Sequence, residues 1–327
     1  MKIAFRYPHL KGFTNLIAIS SPSRIHVSLL DLTGNLGYLD GGIGFAIKLP
    51  RTVVVGRPSE DFKVIGPRAN EVYERLKGLN LKGELEIRST PPAHMGFGST
   101  TQLLLSSAKA LCSLNGINCS SRELAILTGR GGTSGIGVAV FEEGGFVADF
   151  GHSIEVKEKP SPSGASRASP PPYLRLELPE EWIAVIAYPD KRKGIYDEVR
   201  EVTEFEERTP IREEESSKAI RIAYMLIMGG VVERNLERFS KGINSIQEVG
   251  FKRIEWELQP SEVKEACTEM RRVFGNCGLS SMGQAIYSVT RRENVRKKVS
   301  EIELNGFNLL VTPFDNSGAS VKSLSEA

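Results

Sequence analysis

The sequence predicts an α+β protein built from two domains. The chain has 327 residues, and domains usually contain roughly 100–200 residues, which favours two packed units. Hydrophobic residues make up 40% and charged residues 25% of the chain, as is typical of folded globular proteins. Strand and helix patterns are mixed without the strict alternation of a doubly wound sheet. A segment rich in Pro and Ser, residues 157–173, divides the two predicted domains.

The N-terminal domain is predicted to span residues 1–156. Apolar and β-branched runs predict strands at residues 24–30, 52–55, 84–88 and 145–150. Apolar side chains on one face predict a buried helix over residues 100–114, which Asn115 and Gly116 end. A second helix is predicted over residues 120–129, because Ser120 and Glu123 have the spacing of a capping box.

Residues 157–173 contain too much Pro for a helix or a central strand. They form either a linker between domains or an ordered loop of the active site, and the sequence leaves both open. The C-terminal domain is predicted to span residues 174–327. Its predicted strands are residues 182–188, 285–289 and 307–312, and its predicted helices are residues 213–239, 261–274 and 293–304.

Charge and cysteine content exclude several classes of protein. A net charge of +2 provides no global field that would attract nucleic acid or an anionic membrane. No apolar run approaches the roughly 20 residues that span a bilayer. The four cysteines form no CxxC pair and predict no zinc site. We expect Cys112, Cys119, Cys267 and Cys277 to be reduced thiols in a cytoplasmic protein.

Residues 92–102, PAHMGFGSTTQ, predict a loop that holds a phosphate or pyrophosphate at the start of a helix. The first turn of a helix has unpaired N–H groups and a partial positive charge, and glycines let the backbone approach an anion. The alternative is a tight turn before a buried helix. Neither a P-loop lysine nor the third glycine of GxGxxG is present, so positive side chains must come from elsewhere. The predicted phosphate contacts are Gly96, Gly98, Ser99, Thr100, Thr101 and Gln102.

Two further glycine-rich segments extend this prediction. GRGGTSGIG at residues 129–137 contributes Arg130, Thr133 and Ser134, and GNCGLSSMGQ at residues 275–284 contributes Ser280 and Ser281. Three such loops indicate a site where the backbone lies close to a ligand, although three unrelated turns remain the alternative.

A polar stretch at residues 22–50 contributes further candidates. Arg24, His26 and Ser28 alternate and therefore share one face of a strand. Asp31 and Asp40 bracket a turn, and Asp40 with the following glycines forms either a plain turn or a contact to a metal or ribose. A histidine in this setting is either catalytic or structural.

Three motifs, PSRIHVSLLD, PPAHMGFGSTTQ and GLSSMG, resemble in order and spacing the motifs of the GHMP kinase superfamily. This resemblance covers nearly the whole chain. It implies an N-terminal domain with a left-handed βαβ unit and a ferredoxin-like C-terminal domain. Longer segments, GRGGTSGIGVAVFEEGGFVADFGHS among them, are similar to the archaeal β-ribofuranosylaminobenzene 5′-phosphate synthase family.

That resemblance implies a homodimeric pentosyltransferase of methanopterin biosynthesis. Such an enzyme joins phosphoribosyl pyrophosphate to 4-aminobenzoate or 4-hydroxybenzoate and releases CO2 and pyrophosphate. Many GHMP kinases carry an Asp after the Ser-Gly of the second glycine loop, whereas here Ser134 and Gly135 are followed by Ile136 and no carboxylate precedes Glu142. An ATP-dependent small-molecule kinase and a non-catalytic binding module remain alternatives.

The transferase hypothesis gives each candidate a role. Pyrophosphate lies on the first glycine loop with Mg²⁺ bridging it, and arginines neutralise it. Asp31 or Asp40 holds Mg²⁺ or the ribose hydroxyls, while His26 orients the substrate. Arg167 or the basic run at residues 191–193 contacts a phosphate or carboxylate, with a solvated turn as the alternative for the run. Arg24 and Arg130 supply the positive charge that the glycine loop lacks, and the remaining substrate contacts are Gly41, Gly42, Lys191, Ser280 and Ser281. The sequence does not distinguish the amino from the hydroxy acceptor.

Overall fold

A computed structural model describes residues 16–161, 166, 168–192 and 198–324. The prediction for Arg167 lies outside these residues. The strands are β1 (Leu16–Asp31), β2 (Tyr38–Arg57), β3 (Phe62–Ile65), β4 (Gly83–Ser89), β5 (Phe146–Asp149), β6 (His152–Ser153), β7 (Tyr173–Leu176), β8 (Trp182–Pro189), β9 (Gly278–Leu279), β10 (Ile286–Arg291), β11 (Phe307–Thr312) and β12 (Ser320–Leu324). The α-helices are α1 (Ala69–Leu76), α2 (Ser99–Leu114), α3 (Ser121–Thr128), α4 (Ile136–Glu143), α5 (Glu198–Glu207), α6 (Glu213–Ile222), α7 (Gly229–Val232), α8 (Leu236–Ile246), α9 (Gly250–Glu257), α10 (Ser261–Phe274) and α11 (Arg292–Ser300).

The larger sheet contains the polar strand β1 and its hairpin partner β2. Its strands run in the order β12-β1-β2-β4-β3, and β5 and β6 also pair with β2. All pairs are antiparallel except β3 and β4, which are parallel and enclose α1 in a βαβ unit. Helix α2 is buried along most of its length and packs on β1 and β2. This packing fixes the position of the N-terminus of α2 beside β1.

The smaller sheet is antiparallel, with the order β11-β8-β10-β9. Helices α10 and α11 pack on one face through a core that includes Val185, Met270 and Ile286. Helix α8 packs on the other side of β10, next to Trp182 and Phe239. The predicted α+β class, with strand–helix–strand order in the C-terminal half, is confirmed.

Two strands cross the predicted division between domains. β7 pairs with β5, and β12 pairs with β1, so both belong to the larger sheet although residues 174–327 were assigned to the C-terminal domain. The division itself stays a prediction. The described part of residues 157–173 packs against the larger sheet and the second glycine loop.

The predicted helix over residues 213–239 is interrupted. Helix α6 continues into a π-helical turn (Ala223–Met228) and the short α7, and Asn235 then caps α8 as a separate helix. A Cβ on Gly230 would come within 2.7 Å of the Phe239 backbone nitrogen. The glycine pair therefore permits the close reversal that ends the first helix, which periodicity alone does not reveal.

The capping box of α3 is confirmed, because Ser120 and Glu123 exchange side-chain and backbone hydrogen bonds. The expectation of four reduced thiols was wrong for Cys267 and Cys277, which form a disulfide bond. These residues lie on α10 and just before β9, and the turn between them brings their Cα atoms to 5.7 Å. Cys112 and Cys119 are buried free thiols.

Candidate active site

The three predicted motifs meet at the N-terminus of α2. The Arg24 backbone N–H donates to Phe97 O at 2.9 Å. The Ser280 hydroxyl donates to Gly96 O at 2.6 Å and accepts from the His26 backbone N–H at 3.1 Å. A Cβ on Gly283 would lie 2.2 Å from the Gly96 nitrogen, so the loops are in direct backbone contact. These contacts bring the three motifs together at the start of α2.

The first glycine loop has a backbone that side-chain-bearing residues rarely adopt. Gly96 has φ 103° and Gly98, the N-cap of α2, has φ 66°. A Cβ on Gly98 would lie 3.0 Å from Nε of Arg24, and one on Gly96 would lie 2.6 Å from Ser280 O. The glycines are therefore required both for positive φ and for close approach.

A cleft of about 150 Å³ opens over this helix start. It is lined by the loop residues Gly96, Gly98, Ser99, Thr100 and Thr101, by Ser281 and Gly283, and by the cationic side chains Arg24, Arg130 and Arg192. Among the described residues that line it, none is acidic. A helix N-terminus surrounded by guanidinium groups is suited to a multiply charged anion.

Arg68 also belongs to this charge cluster, although no sequence motif marks it. Its guanidinium donates to the Ser99 hydroxyl at 3.2 Å and to the Thr100 hydroxyl at 2.6 Å, and it pairs with Glu71. Arg130 Nε donates to the Thr101 hydroxyl at 3.0 Å. Two arginines thus hold the hydroxyls of the first turn of α2 in place.

The arginines are packed closely enough to perturb one another. Burial, together with the charge of Arg130, lowers the pKa of Arg24 to about 10. Burial, with the charges of Arg75 and Arg68, also lowers the pKa of Arg130, while Glu71 opposes the shift. Both side chains stay cationic at neutral pH. Their mutual repulsion would be relieved by a bound polyanion.

A row of buried polar groups lies behind the cleft. Nε2 of His26 lies 3.2 Å from the Ser134 hydroxyl, which donates to Asp149 Oδ2 at 3.2 Å. Asp149 also accepts backbone N–H bonds from Gly135 at 2.9 Å and Gly151 at 3.1 Å. Asp149 occupies the space beside Ser134 and Gly135 that the sequence left without a carboxylate.

A second buried network joins Asp40 on β2 to the second glycine loop. Lys157 Nζ donates to both carboxylate oxygens of Asp40, at 3.0 and 2.8 Å, and Nδ1 of His152 lies 2.8 Å from Asp40 Oδ2. Lys157 also lies 3.4 Å from the Thr133 hydroxyl, which donates to Ser161 O at 2.6 Å. Asp40 is completely buried. This ion cluster fixes the start of the Pro/Ser-rich segment against the second glycine loop.

Other described residues of that segment also pack on the second glycine loop. The Ser166 hydroxyl donates to Gly132 O, and Nε2 of His152 donates to Ser169 O at 3.0 Å. Cβ atoms on Gly131 and Gly135 would contact Pro170 and Pro171, at 2.6 and 3.0 Å. Of the two alternatives left open, the described residues form an ordered loop beside the site.

Several predicted residues lie outside the cleft. Asp31 accepts bonds from Thr33 N at 2.9 Å and from the Ser216 hydroxyl at 3.1 Å, in a turn against α6. Gln102 is buried and donates to Gly137 O at 2.8 Å. Lys191 is exposed, and its neighbour Arg192 lines the cleft instead. Gly41 and Gly42 pack against Asp149.

Metal-binding groups are not assembled in the part of the chain that the structure describes. There, no cluster of three or more His, Cys, Asp or Glu side chains could hold a metal ion. Both oxygens of Asp40 are engaged by Lys157 and His152, and Asp31 lies in its turn. The described residues therefore do not form a Mg²⁺ site made by the protein alone.

The comparisons with known proteins agree with this architecture. Residues 66–145 match the model of the GHMP kinase N-terminal domain. A homoserine kinase from Cytophaga hutchinsonii superposes with a TM-score of 0.64 at 14% identity, covering 96% of this chain and all of that one. A mevalonate diphosphate decarboxylase from Enterococcus faecalis superposes with a TM-score of 0.61 at 13% identity, covering 94% and 99%. The chain thus has the fold of the GHMP kinases, and its residues 66–145 match their N-terminal domain.

Curated relatives narrow this class. The β-ribofuranosylphenol 5′-phosphate synthase of Methanothermobacter thermautotrophicus is 39% identical over 323 residues, covering 93% of this chain and 98% of the relative. Its namesake in Archaeoglobus fulgidus is 38% identical, covering 84% of this chain and 88% of the relative. The chain belongs to the β-ribofuranosylphenol 5′-phosphate synthase family. The prediction of a pentosyltransferase-type enzyme is confirmed, and the kinase and binding-module alternatives are not favoured.

Proposed function

We propose that the chain transfers the phosphoribosyl group of phosphoribosyl pyrophosphate to the ring carbon that bears the carboxylate of a 4-substituted benzoate. The products are a C-riboside 5′-phosphate, CO2 and pyrophosphate. The acceptor is 4-hydroxybenzoate rather than 4-aminobenzoate, because the relatives are named for a ribofuranosylphenol. The arginine-lined cleft at the start of α2 carries the proposal.

The donor's pyrophosphate occupies the cleft over Gly96–Thr101, where the N–H groups of the first helical turn face it. As the bond between C1 of the ribose and the pyrophosphate oxygen lengthens, negative charge grows on the leaving group. Arg24, Arg130 and Arg68 stabilise that charge without reorganising, because packing and hydroxyl bonds already hold them. No covalent nucleophile is needed.

The acceptor attacks as C1 gains positive character, and loss of CO2 restores the aromatic ring. Water would intercept the same cationic carbon, so the reacting face must be dry. His26 and Asp149 of the buried row, and Asp40 of the second network, are at most 4% exposed and exclude water behind the cleft. We assign the benzoate to the side of the donor that faces these residues.

We also propose Mg²⁺ as cofactor, a homodimeric assembly and a cytoplasmic location. Because the carboxylates of the described residues do not form a metal site, Mg²⁺ would arrive coordinated to the phosphates of the donor. When bound, it would add positive charge to the leaving pyrophosphate. Among the described residues, no helix is long and apolar enough to cross a membrane.

The decisive experiment supplies phosphoribosyl pyrophosphate, Mg²⁺ and carboxyl-labelled 4-hydroxybenzoate or 4-aminobenzoate. We expect labelled CO2 in a one-to-one ratio with pyrophosphate. No labelled CO2 from folded enzyme with either acceptor would refute the proposal. ADP formation from ATP and an alcohol would identify a kinase, and tight donor binding in calorimetry without turnover would identify a binding module.

A further inference from the structure

A chain of three side chains behind the cleft has the geometry of a proton wire. His26, Ser134 and Asp149 come from β1, the second glycine loop and β5, and are joined by two contacts of 3.2 Å each. His26 and Asp149 are 4% and 3% exposed. Among the described residues, the far ring nitrogen of His26, Nδ1, is buried without a hydrogen-bond partner. Buried polar atoms without a partner are rare and call for an explanation.

The hydrogen bonds allow two complementary proton arrangements. When Asp149 is ionised, the Ser134 hydroxyl donates to it, so Ser134 accepts from Nε2–H of His26 and Nδ1 carries a lone pair. When Asp149 is protonated, every bond in the row reverses and Nδ1 carries a hydrogen. The two arrangements differ by one proton, which enters at Nδ1 and ends on Asp149.

The electrostatic surroundings favour this use of the row. The pKa of His26 is held well below its usual value by burial and by the charges of Arg24 and Lys252, so its ring stays neutral in both arrangements. Burial, assisted by the charge of Asp40, raises the pKa of Asp149 to about 7. The N–H groups of Gly151 and Gly135 and the ring of His152 oppose that rise. Lys157, which pairs with Asp40, is a further charged neighbour of Asp149. Both arrangements are therefore accessible near neutral pH.

We propose that His26, Ser134 and Asp149 form a proton relay that takes the phenolic proton of the acceptor and returns it. The inference rests on the proposed function and adds residues for one chemical step. His26 would touch the acceptor through Nδ1, and Ser134 and Asp149 would act through His26 as positioning residues.

The step balances without any further reactant. The O–H bond of the acceptor breaks as Nδ1 takes the proton, and the electron pair left on oxygen becomes a quinoid C=O bond. A ring electron pair then forms the bond to C1 of the ribose, while the C1–oxygen pair leaves with pyrophosphate. The carboxylate departs as CO2, its bonding pair restores the ring, and the phenolate oxygen recovers the proton from Nδ1.

The relay distinguishes between the two acceptors. An ionised oxygen donates electrons to the ring far more strongly than a hydroxyl, so proton removal accelerates attack by 4-hydroxybenzoate. An amino group supplies its lone pair without losing a proton, so 4-aminobenzoate gains little. General base catalysis contributes about 10²–10⁴-fold, which sets the size of the expected effect.

The test compares wild type, Asp149→Asn and Ser134→Ala on three acceptors at about pH 8. The third acceptor, 3,5-difluoro-4-hydroxybenzoate, has a phenol that the fluorines acidify, so it arrives already ionised. For both variants we expect kcat/KM to fall at least about 100-fold with 4-hydroxybenzoate. We expect a loss of less than about tenfold with the fluorinated acceptor and with 4-aminobenzoate. The wild-type rate with 4-hydroxybenzoate should rise with pH through about 7, where Asp149 ionises.

Controls separate the relay from folding and from the proposed function. Ser107→Ala removes another buried hydroxyl that has no partner among the described residues, and it should leave all three rates unchanged. Ser134→Ala keeps both backbone bonds to Asp149, so it tests the relay if Asp149→Asn does not fold. Equal losses on all three acceptors would overturn the relay, as would a wild type that uses only 4-aminobenzoate. Failure of the wild type on every acceptor would instead refute the proposed function.

Discussion

Replacing Gly96 with alanine tests the contact between the first glycine loop and the Ser280 loop. The new Cβ would lie 2.6 Å from Ser280 O and 3.1 Å from Ser280 Cβ, and the backbone would keep φ 103°. Positive φ costs a residue with a side chain about 1–2 kcal/mol. Crowding against a backbone oxygen adds about 1–3 kcal/mol, because neither loop has a flexible side chain there that could yield.

Gly37→Ala is the matched control, since Gly37 has φ 78° and nothing within 4 Å of an added Cβ. Both variants lose stability through φ, so the contact alone contributes a difference of about 1–3 kcal/mol. In Gly96→Ala the loops must separate, which displaces the N–H groups that face the donor. We expect donor affinity to fall about tenfold or more in Gly96→Ala only.

Urea unfolding measures the stability difference, and calorimetry with phosphoribosyl pyrophosphate measures donor affinity. Equal stability losses in the two variants would show that the loops are not in backbone contact. An unchanged affinity in Gly96→Ala would show that the donor does not bind on this loop.

Three further variants examine the charges of the site. Arg24→Ala should weaken donor binding in calorimetry roughly ten- to hundredfold, because one charge-assisted contact is lost. The control variant Arg88→Ala, on a half-exposed side chain outside the cleft lining, should leave donor binding unchanged. Equal effects of the two variants would show that Arg24 does not contact the donor. Lys157→Met leaves Asp40 buried and only partly paired, which should lower the unfolding free energy measured in urea by about 3–5 kcal/mol. A loss below about 1 kcal/mol would show that the ion pair of Lys157 and Asp40 does not stabilise the fold. Because the pKa of Asp149 is raised, the folded state binds its proton more tightly than the unfolded state does. Proton binding therefore stabilises the folded state fully below about pH 4, and this stabilisation is lost as pH rises to about 7. Asp149→Asn should flatten this decline of the unfolding free energy with pH. The decline amounts to about 4 kcal/mol, because the pKa of Asp149 is raised from 3.8 to about 7. An unchanged pH dependence of the Tm would refute this prediction.

Features encoded by neighbouring residues could be predicted from the sequence. The bounds of α10 matched at both ends, and α2 began one residue earlier than predicted, because apolar periodicity and flanking glycines define such helices locally. The meeting of Arg24 with the first glycine loop was also foreseen. The glycines that adopt positive φ occur at fixed spacings in the motifs, so the motifs indicated where such turns would form.

Residues that join the site from elsewhere could not be predicted. Arg68 stands before α1 in a left-handed conformation, with φ 62°, and no motif surrounds it. Asp149 ends a strand whose pairing with β2 places it beside Ser134, and strand pairing is not readable from one segment. Lys252 is completely buried, but it lies in the mixed polar segment GFKRIEWE, where nothing in the local pattern marks it as buried.

The pairing of β12 with β1 has a consequence for how the enzyme is made. Ser20 pairs with Ser320, so strands separated by 300 positions lie side by side. β1 carries Arg24 and His26, and without β12 the outer edge of its first residues would be open to association with other chains. During synthesis this edge stays uncovered until β12 has left the ribosome, about 300 residues after β1, and such distant pairing forms slowly. Shortened chains that end before Ser320 are therefore expected to aggregate rather than to accumulate as partly active enzyme.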